Sequence, residues 1–240
     1  MDDVQSQFTG LLEQRGIRLN DRQLDQFESY YLELVSWNEK MNLTGITDRE
    51  EVYIKHFYDS LSLAFYVNME GKNAIADIGS GAGFPGIPLK IAFPHLKLTI
   101  VDSLNKRIQF LQHVVGELKL DEVQLIHGRA EDVARKPEHR DSYDLVTARA
   151  VAKLAVLNEF CLPFVKVGGV FAAMKGTDLA EEVKEAARSL KELKGVLLEA
   201  FQFTLPVSES NRHILVVKKS NPTPGKYPRK AGTPLKSPLV

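Results

Sequence analysis

The sequence predicts an α/β fold: a mostly parallel seven-stranded sheet with helices on both faces, preceded by a helical N-terminal region. Three observations carry this expectation. From residue 73 onward, short aliphatic and β-branched runs alternate with segments of helical period. Such alternation builds βαβ units, whose strands run parallel. No strand pattern precedes Lys72, so the first seventy residues stand apart as helix. Near the end, Val196 to Leu205 and His213 to Lys218 have no helix between them, and two such strands pair antiparallel at one edge.

Each element has its own justification. Asn20, with Gln23 three residues on, resembles a capping box, and Leu24, Phe27, Tyr31, Leu34 and Val35 then recur at helical spacing. Thr47 to Glu50 has the T-x-x-E form and predicts a second helix through Phe57. Ala74 to Ile78 reads as the first strand, closed by glycines, with a short helix over 86–93 behind it. Leu96 to Val101 is the second strand, and Leu104, Ile108, Leu111, Val115 and Leu118 mark the helix face after it. Val123 to Ile126 and Asp144 to Ala148 are the third and fourth strands. A helix around Lys153 to Phe164, a Gly168-Gly169 turn and a fifth strand from Val170 to Met174 follow. Leu179, Val183, Ala186, Leu190 and Leu193 give a further amphipathic helix. The expected organisation is a helical region over 1–72, a core over 73–220 and a tail over 221–240. That tail holds five of the eleven prolines without an apolar period, so it is expected to be flexible.

Composition narrows the function. With 240 residues, 44% hydrophobic and 26% charged, the chain can bury a sizeable core. A single cysteine excludes an internal disulfide and a zinc cluster. The acidic start MDDVQSQF lacks the regions of a signal peptide, and no apolar run approaches the ~20 residues that span a bilayer, so the expected address is the cytoplasm, away from membranes. No repeat of 20 to 50 residues is present. The net charge of zero hides an asymmetry: Lys218 to Val240 holds six basic residues and no acidic one, which leaves the preceding chain acidic.

Residues 77 to 83 read Asp-Ile-Gly-Ser-Gly-Ala-Gly, leaving one predicted strand and preceding a helix. Glycines there let the backbone turn tightly and approach a ligand, and open α/β sheets bind ligands beyond the carboxyl ends of strands. Asp102 ends the second strand, where a carboxylate can accept from both hydroxyls of a ribose; helix capping is the simpler role for it. The third strand leaves into Gly128-Arg129-Ala130-Glu131-Asp132, which suits an adenine ring, although acids at a helix start also complement its dipole. Gly81-x-Gly83-x-x-Gly86 matches the dinucleotide string. Against a dinucleotide stand Asp77, which would repel a diphosphate, and Pro85, which removes a backbone donor. S-adenosylmethionine, a cation without phosphate, fits better. No Gly-Lys-Ser/Thr follows, so a P-loop is excluded.

These residues resemble a class I S-adenosylmethionine-dependent methyltransferase of Rossmann-like fold. More narrowly, the chain resembles the RsmG (GidB) family, which methylates guanine N7 in 16S ribosomal RNA. The likeness is carried by Trp37-Asn38 with Asn42-Leu43-Thr44, His56-Phe57-Tyr58-Asp59-Ser60, Asp77 to Pro85, Val101-Asp102-Ser103, Arg129-Ala130-Glu131, Thr147-Ala148-Arg149-Ala150 and Lys226 to Pro234. Residue 231 is Ala where relatives often have Pro. The resemblance implies cofactor contacts from Gly79, Phe84, Ala130, Glu131 and Arg149, with Asp102 at the ribose; Gly81 joins them as part of the glycine loop. It implies 16S ribosomal RNA or an assembling small subunit as partner, and a monomer is expected.

What is missing agrees with that chemistry. Cytosine C5 methylation needs a cysteine nucleophile, and Cys161 sits on a predicted helix where a buried structural thiol is usual. Exocyclic-amine enzymes commonly carry an Asn/Asp-Pro-Pro-aromatic motif, where this chain has Thr147-Ala-Arg-Ala150. The six histidines show no metal-ligand spacing, so no metal is expected. Guanine N7 is already a lone-pair nucleophile, so no catalytic acid or base is assigned. Lys175 at the end of strand five, and Lys226, Arg229 and Lys230 in the tail, are the candidate RNA contacts. A solvated lysine and a solubilising tail are the plainer roles. A non-catalytic nucleotide-binding sensor or scaffold, and more distantly an NAD-dependent oxidoreductase, are the alternatives.

Overall fold

A computed structural model of the chain describes residues 2–149, 152–176 and 179–240. Ala150, the last residue of the Thr-Ala-Arg-Ala segment, lies outside them. The strands are β1 (Ala74–Ile78), β2 (Lys97–Asp102), β3 (Val123–His127), β4 (Tyr143–Arg149), β5 (Val165–Lys175), β6 (Gly195–Thr204) and β7 (Asn211–Lys219). They form one sheet in the order β3-β2-β1-β4-β5-β7-β6. The first five run parallel, and β7 is antiparallel to both β5 and β6, as the missing crossover helix predicts. From β1 the chain builds outward through β2 and β3, then returns to β4 on the other side. The loops leaving β1 and β4 therefore diverge and open a crevice over their carboxyl ends.

Side chains alternate across a strand, so a sheet covered on both faces needs two cores. Leu98 and Ile100 of β2, with Ala172 and Met174 of β5, enter one core. Val101, Phe171 and Ala173 enter the other. The first core is covered by α1 (Asp3–Glu13), α2 (Asp21–Met41), α5 (Gly86–Ala92) and α6 (Asn105–Glu117). The second is covered by α7 (Ala130–Val133), α8 (Leu154–Cys161) and α10 (Ala187–Glu192), with α9 (Ala180–Glu185) just before α10.

The Asn20 capping box is present, its side chain accepting from Gln23 N at 3.0 Å and the Gln23 amide oxygen accepting from Asn20 N at 2.9 Å. Thr47 does not open the next helix. Asp48 caps it instead, accepting from Glu51 N at 3.0 Å, and α3 (Arg49–Val52) starts one residue later than expected. The chain then widens into a π-helical turn over Tyr53–Tyr58, tightens through α4 (Asp59–Leu61), and ends in a 3-10 turn at Ser62–Phe65. An aromatic cluster packs around the turn, with Phe57 5.0 Å from Phe27 and 5.3 Å from Tyr30 between ring centroids.

Three further expectations change. Strand β5 starts at Val165, so Gly168 and Gly169 lie inside it at a register shift rather than ahead of it. The helix expected after Leu179 is broken at buried Ala186 into α9 and α10. The third concerns residues 221–240, expected to be flexible, which lie along α8 and α10 and close with α11 (Thr233–Lys236). Tyr227 is buried and donates to Glu192 at 3.0 Å. The Arg229 guanidinium straddles the fully buried Glu159 carboxylate, at 2.9 Å to Oε1 and 2.7 Å to Oε2. The anchors are polar and aromatic, which is why apolar period gives no sign of them, and prolines leave few backbone donors to satisfy.

Glycine 83 has φ +104°, and an added Cβ would stand 2.6 Å from the Tyr30 hydroxyl and 2.8 Å from Ile87. At Gly81, φ +63°, a Cβ would meet nothing within 4 Å. Gly83→Ala should therefore destabilise by about 2–4 kcal/mol, backbone strain and overpacking together, against about 1–2 kcal/mol for Gly81→Ala. Urea unfolding of the two variants checks this ordering.

Candidate functional site

Strand β1 ends at Ile78, and the chain turns sharply through Gly79 and Gly81, both in the left-handed region at φ 71° and 63°. Register places Val101 opposite Ile78, so Asp102 stands one step beyond, beside the loop. Its Oδ2 accepts from Gly81 N at 3.0 Å, and its Oδ1 accepts from Leu104 N at 2.9 Å at the entrance to α6. Leu104, not Asp102, occupies the N-cap position. The loop is held on its far side by Tyr30, whose hydroxyl donates to Ala82 O at 2.5 Å.

Three clefts adjoin along this edge of the sheet. The first, about 410 Å³, is lined by Thr44, His56, Gly79, Phe84, Asp102 and Arg149, with Gly81 beside them. The second, about 150 Å³, shares Gly79 with it and adds Ala130, Glu131, Phe160 and Leu235. The third, about 320 Å³, shares His56 and Arg149 with the first and includes Asp59, Arg212 and His213. All seven residues expected at a cofactor thus lie on the first two clefts, which meet at Gly79.

Arg149 forms the partition between the first and third clefts. Its guanidinium lies 4.8 Å from the Phe84 ring centroid, and Nη1 donates to Asp59 Oδ2 at 3.1 Å. His56 stacks on the same Phe84 ring at 4.6 Å. Burial, reinforced by the Arg149 charge, pushes the His56 pKa down to about 3, so the ring is neutral at physiological pH. Its Nδ1 faces the Lys55 carbonyl at 3.1 Å and its Nε2 the Thr44 hydroxyl at 2.8 Å. Arg149 Nη2, which can only donate, also lies 3.4 Å from Nδ1, so the ring is held from the Lys55, Thr44 and Arg149 sides together.

Beneath the loop, Asp77 is fully buried. Its Oδ2 accepts from Gly86 N at 2.8 Å, whereas Oδ1 has no partner. Burial pushes its pKa up to about 6. A carboxylate oxygen without a partner below a glycine loop suits a cationic ligand and opposes a diphosphate.

The expected RNA contacts fare differently. Lys175 donates to Ala152 O and Glu182 Oε1, both at 2.7 Å, and is largely buried. Lys226 pairs with Glu192 at 2.8 Å, and Arg229 is committed to Glu159. These three cations are paired within the chain, Lys226 and Arg229 with acids far away in sequence and Lys175 with Glu182 on the helix after its own strand. Lys230 is exposed. Among the described residues, no group of three His, Cys, Asp or Glu side chains is arranged to hold a metal, and no helix is long and apolar enough to cross a membrane.

The sequence reasoning missed Arg212, His213 and Leu235 as site residues. It quoted His56 and Asp59 only within a motif. Leu235 reaches the second cleft because Gly232 N donates to Glu131 Oε1 at 2.8 Å, bringing the C-terminal segment over it.

The family model described as GidB, rRNA small subunit methyltransferase G, matches residues 23–215. The chain is 57% identical over 234 residues to the ribosomal RNA small subunit methyltransferase G of Halalkalibacterium halodurans, covering 98% of each chain. It is 54% identical over 233 residues to the Bacillus licheniformis protein of the same name, covering 97% of this chain and 98% of that one. Among solved structures it resembles a SAM-dependent O-methyltransferase from Thermotoga maritima, with a TM-score of 0.52, 20% identity, and coverage of 80% of this chain and 73% of that one. It also resembles M. jannaschii TYW2 in complex with AdoMet, with a TM-score of 0.51, 18% identity, and coverage of 68% and 74%. At these identities the structural likeness concerns the fold.

Because Leu235 lines the second cleft yet is half exposed, Leu235→Ala should leave stability nearly unchanged. Its loss removes apolar cover worth roughly 1 kcal/mol, so affinity for S-adenosylhomocysteine should fall about fivefold. Calorimetric titration measures it, and equal affinity would place the ligand away from residue 235.

Proposed function

The chain belongs to the GidB family, rRNA small subunit methyltransferase G, and from that premise we propose that it transfers a methyl group from S-adenosylmethionine to N7 of a guanine in 16S ribosomal RNA. The observation that carries the site assignment is the continuity of the clefts. A glycine loop and Asp102 face one chamber, and only the Arg149–His56 partition separates it from a second.

The residues present fit the cofactor. Asp102 accepts from the ribose at the position on Oδ1 that its bonds to Gly81 N, Leu104 N and Arg107 Nη1 leave open, while those bonds hold the loop. Ala130, Glu131 and Leu235 enclose the adenine, and Gly79 and Gly81 admit the ligand against the backbone. Arg149 serves the cofactor carboxylate, with Phe84 beneath its guanidinium. The buried, partnerless oxygen of Asp77 favours the ammonium. When bound, S-adenosylmethionine supplies an electrophilic sulfonium methyl that passes to a lone-pair nucleophile while the electron pair of the broken bond returns to sulfur.

Guanine N7 carries that lone pair without deprotonation, so the chain need only position the base and exclude water. The nearest imidazole, His56, has both nitrogens engaged and stays neutral, which suits a wall better than a base. A ribosomal RNA substrate places the protein in the cytoplasm, on naked RNA or on an assembling particle. Of the tail cations, Lys230 remains the one proposed to meet RNA.

Incubation with labelled S-adenosylmethionine and either naked 16S RNA or small-subunit particles tests the reading. N7-methylguanosine should appear in the nuclease digest of one of them. A methyl group on another atom would overturn the N7 assignment, and none on either substrate would overturn the reading as an enzyme and favour the scaffold alternative.

Asp77 adds a pH dependence. Its folded pKa of about 6 is raised, so the ionised form, whose charge beneath the loop favours a cationic ligand above it, is lost as pH falls through 6. S-adenosylhomocysteine affinity should rise from pH 5 to pH 7, by up to about tenfold per unit at the acid end, and then level off. Asp77→Asn should flatten that profile.

A further inference from the structure

We propose that Asp59 reads the target base, its carboxylate accepting the N1–H and N2–H donors on the Watson–Crick edge of guanine in the third cleft. This rests on the N7-methylation reading above. The cleft of about 320 Å³ shares the Arg149–His56 partition with the cofactor chamber, so a base seated in it adjoins the methyl donor's space. Ile46, Met174, Phe203 and Ile214 give it apolar surface for the faces of a purine. Among the described residues lining it, Asp59 is the one carboxylate.

Two arginines fix the plane of that carboxylate. Arg149 Nη1 donates to Oδ2 at 3.1 Å, and Arg212 Nε donates to Oδ1 at 3.2 Å. Each bond occupies one lone-pair position, which leaves one on each oxygen. Two free positions on a planar acceptor match two adjacent donors, and guanine alone of the four bases presents N1–H beside an exocyclic N–H. Adenine puts an acceptor at N1, against which a carboxylate is repelled. A second observation points the same way. His213 lines this cleft, and its buried Nδ1 has no partner. Guanine O6, adjacent to N1, is an acceptor in need of a donor.

The pairing also strengthens as the reaction proceeds. Methylation leaves the purine with a positive charge, which makes N1–H a stronger donor to an anionic acceptor. Asp59 therefore binds the transition state better than the ground state, and its contribution enters kcat as well as KM.

The test exchanges one atom group in the RNA and sets it against one protein variant. Two substrates carry guanosine or inosine at the target position; inosine keeps N7, O6 and N1–H and lacks only the 2-amino group. The wild-type protein should methylate the inosine substrate with kcat/KM lower by about 10- to 100-fold, the worth of one charge-assisted hydrogen bond. In folded Asp59→Asn, activity on guanosine should fall and the guanosine–inosine gap should shrink below threefold. Equal rates on both substrates with the wild-type protein would overturn the role of Asp59 while leaving N7 methylation standing. No N7 methylation of guanosine at all would remove both.

Discussion

The Gly79–Gly86 segment is held from three directions, and the rest of the site depends on that grip. Asp102, from the neighbouring strand, accepts from Gly81 N. Tyr30, from the N-terminal region, donates to Ala82 O. Asp77, from the strand that launches the loop, accepts from Gly86 N. Without these bonds a run of glycines would carry a large conformational entropy and present no fixed surface. With them, the backbone forms a rigid floor shared by two clefts. One of the three anchors, Asp102, also lines the first cleft, so a single carboxylate both positions the loop and faces that chamber.

The division of labour follows the chain. The parallel sheet supplies the loop, Asp102 and the residues after β3, which form the floor of the first two clefts. The helical N-terminal region supplies Thr44, His56 and Asp59, the parts that face outward. The π-helical turn at Tyr53–Tyr58 is what lets His56 and Asp59 reach the same arginine, since a wider turn shifts the residues after it around the axis. Arg149 joins the two regions, and its hold on Asp59 couples what stands on either side of the partition.

Much of the fold was legible because it rests on local chemistry. Aliphatic runs bounded by glycine marked the strands, and the absent crossover marked the antiparallel edge. Asn20 and Gln23 announced their cap because both partners lie within one turn. Asp102 and Glu131 could be placed beside adjoining clefts because the parallel strands all end on one edge, so an acid just past a strand lies at that edge. The failures share the opposite cause. Arg212 and His213 meet Asp59 and the third cleft only through the return of β7 beside β5, which no local pattern encodes. Arg229 looked like a free cation because its partner, Glu159, is hidden on α8. Asp48 took the cap from Thr47 because an ionised acceptor competes better for a helix N-terminus than a hydroxyl one position earlier.

The crossing of the C-terminal segment to Glu131 bears on how the protein comes into being at the ribosome. Synthesis runs from the N-terminus, so Gly79, Asp102 and Glu131 emerge well before Leu235. Until residues 229–235 are released, Glu131 has no Gly232 amide to accept from and Glu159 has no guanidinium, while the sheet can already form. The Leu235 side of the second cleft is therefore the last part of it to be translated. A nascent chain stalled short of it would carry the glycine loop and Asp102 with the second cleft still open on that side.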